Sequence, residues 1–179
     1  ASLKNIQTLD LSWTSNLGIH PLLDLKKLKK LGINNSKSFN LISQLQLSHL
    51  EISNGHLNQD FLSPITNMTL LKSLKIWVGR SRSHPANIEA LWTLQNLESL
   101  EFRDAWKLKD ISVVANMKKL RKFAAPFSSI SDLTPLSELK NLRTLNLRVH
   151  KIPANQNYCP TDRGAKVLRQ YCKKITNRS

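Results

Sequence analysis

Apolar residues recur along the chain in one spaced pattern, L-x-x-L-x-x-L-x-L with conservative replacements. Seven copies begin at positions 3, 25, 44, 68, 94, 117 and 139, so successive starts are 22, 19, 24, 26, 23 and 22 residues apart. In the third copy, Gln44 stands in the first apolar slot. A period between about 20 and 50 residues is typical of stacked repeats. The pattern therefore predicts an array in which each copy supplies one short strand and buries its apolar row against its neighbours.

A second signature, apolar-x-Pro-apolar, precedes three of the copies and predicts a tight turn or 3₁₀ segment. It spans Ile19–Leu22, Leu62–Ile65 and Leu133–Leu136, and two further copies keep the apolar spacing without proline. The segment before the third copy keeps Leu41 alone. The length differences then fall between each strand and the next turn. Loops tolerate such insertions, so this distribution supports a true repeat array.

The spacing resembles the leucine-rich repeat family, in the 22-residue bacterial form found in internalins, over residues 3–152; the best match is Ile130–Leu147. The resemblance implies an α/β solenoid. Its units would be strands with α-helical or 3₁₀ returns, wound into a right-handed superhelix with a curved parallel sheet on the concave face. The family places Asn three residues after the last strand Leu, to bond the turn backbone. These positions here hold Thr14, Ser36, Gly55, Gly79, Ala105, Ser128 and His150. We therefore expect looser or hydrated turns along that edge.

We divide the chain into seven repeats (1–152) and a C-terminal capping loop and helix (153–179). Apolar residues at helical spacing between Ala165 and Ile175 predict the capping helix. Cys159 and Cys172 flank this segment, and their isolation at one end favours a disulfide in an oxidising compartment over two reduced cysteines. The arrangement also resembles the stapled caps of some exported bacterial leucine-rich repeat proteins. The start at Ala1, almost at the first repeat, is interpreted as processed or truncated.

The composition argues against membrane-spanning and catalytic classes. The 179 residues carry a formal net charge of +15, and no apolar run approaches the roughly 20 residues that cross a bilayer. The sequence contains no Gly-rich phosphate loop and no zinc-protease, thiol-redox or serine-hydrolase motif. The five His residues fall in different repeats. We therefore predict a monomeric protein that is not an enzyme and that holds no metal or small-molecule cofactor.

The concave face carries the candidate binding site. Successive residues of a strand point to opposite sides, so the residues that alternate with the buried Leu rows should form three outward columns. Aromatic residues and Arg are enriched at binding hot spots, and we predict a protein partner where they cluster. The candidate residues are Trp77, Arg103, Phe127, Arg148, Arg80, Arg82, Lys75 and Glu101. Two alternatives stay open: the loop over residues 78–87 covers Trp77, or the basic residues of this loop are ordinary surface variation.

Two runs of basic residues, 26–30 and 118–122, precede the second and sixth predicted strands. A solvated ridge explains them. The alternative is a polyanion binder (nucleic acid, sulfated glycan or anionic membrane), but no aromatic residues interleave with these lysines for base stacking. A third alternative is the repeat portion of a larger effector enzyme. The family resemblance suggests an extracellular, cell-surface or periplasmic location, or delivery into a host cytosol.

Overall fold

The computed structural model describes residues 3–12, 14, 18–34, 39–55, 59–78, 87–147 and 166–176. The strands in these ranges are β1 (Thr8–Leu11), β2 (Lys30–Asn34), β3 (His49–Gly55), β4 (Ser73–Val78), β5 (Ser99–Arg103), β6 (Lys122–Ala124) and β7 (Thr144–Asn146). They form one seven-stranded sheet whose order follows the sequence. Every neighbouring pair is parallel. The predicted solenoid with a parallel sheet is confirmed.

Short helical returns connect the strands on the other side of the core. The 3₁₀ segments are Leu3–Asn5, His20–Asp24, Phe39–Gln44, Ser63–Ile65, Glu89–Thr93 and Ser112–Asn116, and the α-helical turns are α1 (Gln59–Leu62) and α2 (Thr134–Ser137). Pro21, Pro64 and Pro135 lie at the first or second position of their returns. The fixed φ of proline suits a helix there, and its missing N–H sacrifices no hydrogen bond. The apolar-x-Pro-apolar signature thus marks the returns, as predicted.

The apolar rows stack into one continuous core. Burial alternates along β2 and β5, with the Leu-type positions buried and the intervening positions open. Leu50, Leu74 and Leu100 pair directly across β3, β4 and β5 and are at most 2% exposed. Burying a side chain of this size contributes about 1.5–3 kcal/mol. A single repeat cannot bury its own row, so the repeats fold as a stack.

The third repeat begins one residue later than the sequence pattern predicts. Gln44 is exposed, whereas Leu45 is buried and its amide bonds the Ile42 carbonyl (3.1 Å). The next buried row residue, Leu47, follows Leu45 after two positions, where the other repeats have three. The prediction that Gln44 fills the first slot is therefore wrong, because this repeat has a turn that is one residue shorter.

The return before the third repeat is also better packed than predicted. Phe39 and Ile42 are both buried, so the segment does not depend on Leu41 alone. Phe39 stacks against Phe61 in α1, with ring centroids 4.7 Å apart and planes at 6°. Phe39 and Ile42 occupy the two apolar slots of the signature, so the prediction that this segment keeps Leu41 alone is wrong.

Consecutive repeats share hydrogen bonds at the amino ends of the strands. The carbonyl oxygen of Lys72 accepts the amides of Glu98 and Ser99, at 2.8 and 3.0 Å. The same two-amide arrangement recurs at the carbonyls of Gln7, Lys29, Ser48, Glu98 and Arg121. We call this side of the sheet the amino edge, and the opposite side, where the strands end, the carboxyl edge.

Main-chain bonds close the turns at the carboxyl edge that lack the family's Asn. The Thr14 amide donates to the Leu11 carbonyl (3.1 Å), and the Leu108 amide donates to the Ala105 carbonyl (2.9 Å). Ser36, Gly79 and His150 lie outside the described residues. The looser turns that we expect along this edge stay a prediction.

A helix lies where the sequence predicts the cap. Helix α3 (Lys166–Thr176) packs against β7, and its Leu168 is fully buried. The Tyr171 hydroxyl donates a hydrogen bond to the Leu147 carbonyl, and burial raises the pKa of Tyr171 to about 12. The capping loop and the division at 152/153 lie outside the described residues and stay predictions.

Cys172 is buried in the face of α3 that packs on the array, and it is not a free thiol. Cys159 lies outside the described residues, so the predicted pairing of Cys159 with Cys172 stays a prediction. In the part of the chain that the structure describes, no helix is long and apolar enough to cross a membrane.

Candidate functional site

The strand register produces two of the three predicted columns on the concave face. The first column is Thr8, Lys30, His49, Ser73, Ser99, Lys122 and Thr144, and the second is Asp10, Gly32, Glu51, Lys75, Glu101, Ala124 and Asn146. Neighbouring strands lie about 4.8 Å apart. The second column therefore places Lys75 within reach of an acidic residue on each neighbouring strand.

The third predicted column is interrupted in the middle of the sheet. Its predicted members are Ser12, Asn34, Ser53, Trp77, Arg103, Pro126 and Arg148. Asn34 pairs with Ser53, and Trp77 pairs with Arg103. Between β3 and β4 the register shifts after Ile52. Trp77 and Arg103 thus remain neighbours as the repeat period predicts, while the residues before them belong to a separate part of the face.

Several residues predicted to face outward are not available there. Ser12, Ser53 and Ala124 are buried, and Pro126 lies beyond the end of β6. Small side chains do not extend past the larger neighbours that flank them, so strand alternation alone overestimates their exposure. The Ser53 hydroxyl has no hydrogen-bond partner among the described residues.

Trp77 lies at the centre of a cluster of charged side chains. The Arg103 guanidinium lies over its ring, 4.5 Å from the centroid, and the Lys75 ammonium lies 5.2 Å from it. Lys75 also pairs with Glu51 at 2.8 Å. Each cation–aromatic contact of this kind contributes about 0.5–1 kcal/mol at exposed sites. The indole, which is half-buried, is therefore held in place by its neighbours.

Glu101 connects this cluster to the next strand. One carboxylate oxygen accepts a hydrogen bond from Arg103 Nε at 2.8 Å, and the other accepts one from Lys122 Nζ at 2.9 Å. The Glu101 side chain is only 13% exposed. Burial alone would raise its pKa, but the two charged donors outweigh burial and hold the pKa of this carboxyl below its ordinary value. Glu101 thus stays ionised and fixes Arg103 against Trp77.

Phe127 belongs to a second aromatic contact at the carboxyl edge. Its ring stacks on Trp106, with centroids 5.3 Å apart and planes at 22°. Phe127 has a φ of 62°, and Asp104 has a φ of 58° at the equivalent place one repeat earlier. This left-handed conformation is unfavourable for an aromatic residue. It turns the chain at the end of the strand and brings Phe127 under the exposed Trp106 ring.

At the other end of the face, Asp10 lies over Gly32. The Asp10 carboxylate accepts hydrogen bonds from the Ser12 amide (3.0 Å) and hydroxyl (2.6 Å), and these bonds lower the pKa of Asp10. A Cβ at Gly32 would stand 2.4 Å from the Asp10 carboxylate. Glycine is therefore needed in this column for Asp10 to fold back over the sheet.

Four of the eight predicted site residues form one cluster, namely Lys75, Trp77, Glu101 and Arg103, and Phe127 forms the stacked pair. Arg80, Arg82 and Arg148 lie outside the described residues, as does most of the loop predicted to cover Trp77. Lys122 and Glu51 were not among the eight candidates. The sequence did indicate that Trp106, with Lys107 and Lys109, follows the next strand on the same side, but Trp106 was not among the eight candidates either. The column alignment placed Lys122 and Glu51 beside selected residues, and this signal could have found them.

Apart from Lys30 and Lys122, which are the first residues of β2 and β6, the basic runs lie at the amino edge, away from the Trp77 cluster. Lys26, Lys27, Lys29, Arg121, Lys118, Lys119, Lys140 and Arg143 are all exposed. Lys118 pairs with Glu138 at 3.3 Å, and Lys72 pairs with Glu98 at 3.7 Å. Lys119 donates to the Asn96 side chain at 2.6 Å. This edge therefore keeps most of its positive charge at the surface.

Among the residues that the structure describes, no group of His, Cys, Asp or Glu could hold a metal ion. Neither a family model nor a curated protein matches the chain. Solved structures do resemble it. An internalin from Listeria monocytogenes str. 4b F2365 aligns with 82% of this chain at 22% identity and a TM-score of 0.52, and the alignment spans 49% of that structure.

Two further structures extend the likeness. Internalin C2 of the same organism aligns with 81% of this chain at 20% identity and a TM-score of 0.50, spanning 82% of that structure. The plant peptide hormone receptor RGFR1, in complex with RGF2, aligns with 82% at 18% identity and a TM-score of 0.55. The chain spans about half the length of the first internalin and 25% of the receptor. At these identities the likeness defines the fold alone: the chain has the fold of a leucine-rich repeat solenoid.

Proposed function

We propose that the chain is a non-catalytic recognition scaffold that binds a protein partner at the carboxyl side of its concave face. The observation that carries this proposal is the Trp77 cluster. Arg103 covers the indole at 4.5 Å and is held there by Glu101 at 2.8 Å. Trp and Arg are the residue types that most often dominate binding energy. Here both are half-buried side chains at neighbouring positions of one sheet.

The internal contacts of the cluster favour binding. Immobilising a flexible side chain at an interface costs about 0.5–1.5 kcal/mol. Arg103 and Lys122 are already fixed by Glu101, and Lys75 by Glu51. Docking of a partner on the cluster therefore costs less side-chain conformational entropy than docking on lysines that have no ion pair. The Trp106–Phe127 stack, one repeat further along the same edge, extends this surface with an exposed aromatic face.

The experiment is affinity capture with the purified chain immobilised, followed by mass spectrometry and titration of the retained protein. The Trp77→Ala/Arg103→Ala double variant should weaken binding at least about 30-fold, because loss of a hot spot raises the binding free energy by about 2 kcal/mol or more. The matched control is Trp92→Ala/Lys29→Ala. It removes one Trp and one cation from elsewhere on the array and should bind like wild type.

Circular dichroism and the unfolding midpoint show whether each variant keeps its fold. Equal retention by wild type and the Trp77→Ala/Arg103→Ala variant would place the partner elsewhere. Equal losses in both double variants would also contradict the proposal, because the control leaves the cluster intact.

We further propose an extracellular, cell-surface or periplasmic location, with Cys159 and Cys172 joined by a disulfide across the cap. Support comes from the buried Cys172, which is not a free thiol. Alkylation under denaturing conditions without reductant should leave the intact mass unchanged. Addition of two alkyl groups would contradict the pairing and remove this support for an oxidising compartment.

A further inference from the structure

Two large apolar side chains are exposed on the amino side of the array, far from the Trp77 cluster. Leu70 lies in the turn that leads into β4 and is 55% exposed, and Trp92 lies in the 3₁₀ return before β5 and is 60% exposed. The residues equivalent to Leu70 in the repeats that flank it on the C-terminal side are polar, Asn96 and then Lys119. Neither apolar residue supports the core, so their exposure calls for a different explanation.

Hydrogen bonds hold the two segments that carry these residues side by side. The Thr93 hydroxyl donates to the Thr66 carbonyl at 2.6 Å, and the Asn96 side-chain amide donates to the Thr69 carbonyl at 2.8 Å. Trp92 precedes Thr93, and Leu70 follows Thr69. Leu70 and Trp92 therefore lie on neighbouring segments of the fourth and fifth repeats.

Exposed cations flank this apolar pair on both sides along the amino edge. The second repeat supplies Lys26, Lys27 and Lys29, and the sixth and seventh repeats supply Lys118, Lys119, Arg121, Lys140 and Arg143. The second and sixth repeats are each two strand steps from the fourth, which is about 10 Å. Two lysines of this edge have acidic partners: Lys72 pairs with Glu98, and Lys118 pairs with Glu138.

We propose that the amino edge is a membrane-docking surface, on which Trp92 and Leu70 enter the interfacial layer of an anionic phospholipid bilayer and the flanking lysines and arginines contact its head groups. Trp prefers the boundary between an apolar and an aqueous phase. Surface-bound proteins combine such apolar residues with Lys and Arg in this way. A charge ridge alone would attract any polyanion, but it would not require the exposed indole and Leu between its two halves.

This surface is independent of the protein-binding site. A strand of five residues is about 16 Å long. Trp77 and Arg103 lie in the carboxyl half of β4 and β5, whereas the proposed membrane surface precedes the first residues of these strands. The concave face would thus stay accessible while the amino edge is docked.

The test is cosedimentation of the full chain with vesicles of phosphatidylcholine mixed with phosphatidylglycerol, compared with vesicles of phosphatidylcholine alone. We expect binding to the anionic vesicles only, weakening as salt is raised. The Lys140→Gln/Arg143→Gln variant should bind about 25-fold more weakly, since each cation near an anionic surface contributes about fivefold. The Leu70→Ser/Trp92→Ser variant should lose binding by about tenfold or more, because it removes the inserted apolar groups.

The matched control for the indole is Trp106→Ser. This Trp is 53% exposed but lies at the carboxyl edge, so its loss should leave vesicle binding unchanged. Vesicles with brominated acyl chains provide a second readout: they should quench the fluorescence of wild type more than that of Trp92→Phe. Circular dichroism checks the fold of each variant.

Three results would overturn the proposal. One is the absence of binding to anionic vesicles. Another is unchanged binding of the Leu70→Ser/Trp92→Ser variant, which would mean that charge alone attracts the chain. The third is equal quenching in wild type and Trp92→Phe. If the chain binds heparin more tightly than vesicles, and if the Trp92→Phe variant binds heparin as tightly as wild type, the amino edge is a polyanion site instead.

Discussion

The two edges of the sheet carry charge in different ways. On the concave face, Arg103, Lys122 and Lys75 each have a carboxylate within 2.9 Å. At the amino edge, the charges face outward. The ion pair between Lys72 and Glu98 is longer, at 3.7 Å, and both of its side chains are exposed. The first arrangement fixes side chains in one geometry, and the second leaves a positive surface. The pairing of the charges, and not the net charge, therefore distinguishes the two regions.

The largest difference between the edges should appear when one carboxylate is removed from each. Glu101→Ala removes two charge-assisted hydrogen bonds from a nearly buried group, and we expect the free energy of unfolding to fall by about 2 kcal/mol. Glu98→Ala removes a solvent-exposed pair, which contributes at most about 0.5 kcal/mol. Urea unfolding of both variants measures the two losses. Equal losses would contradict the distinction between a fixed and a loose edge.

The pH dependence of stability should separate the edges next. The pKa of Glu101 is lowered in the folded chain, so its contribution is full above the unfolded pKa and is lost as pH falls through the folded value. We expect wild type to exceed Glu101→Gln by a constant amount above about pH 5 and the difference to shrink below about pH 4. Unfolding free energies of both proteins across this range provide the measurement, and a difference that grows toward low pH would contradict the sign.

The smallest contrast concerns the two exposed Trp residues. Trp106→Ala removes the stack on Phe127 and should lower the free energy of unfolding by about 1 kcal/mol. Trp92→Ala removes a side chain that is 60% exposed, and we expect a change within about 0.5 kcal/mol. Thermal unfolding of the Trp106→Ala and Trp92→Ala variants measures both changes. A larger loss at Trp92 would show that this residue supports the fold and would weaken its assignment to membrane contact.

The repeat period predicted the fold and much of the cluster. A regular spacing fixes strand register, so the neighbouring places of Trp77 and Arg103, and of Lys75 and Glu101, followed from the sequence. The shift from Gln44 to Leu45 did not, because a one-residue shortening leaves two alignments of similar quality, and only burial of Leu45 distinguishes them.

Other features of the site depend on conformations that composition does not report. The Trp106–Phe127 stack requires a positive φ at Phe127, and a bulky residue rarely adopts it. The buried state of Ser53 and Ala124 depends on the size of their neighbours rather than on strand alternation. The sequence also did not predict that Leu70 is exposed, because Leu70 adjoins the buried Leu71 and resembles a core residue in any hydropathy profile.

The carbonyls that each accept two amides at the amino edge give the array a distinct response to mechanical force. At each of these junctions two amides bond one oxygen, as at Lys72 with Glu98 and Ser99, and we expect the two bonds to break together under load. Since a repeat contacts only its neighbours, failure of one junction leaves the next one intact and under the same load. A chain pulled by its ends should therefore extend in discrete steps of one repeat each rather than in a single rupture.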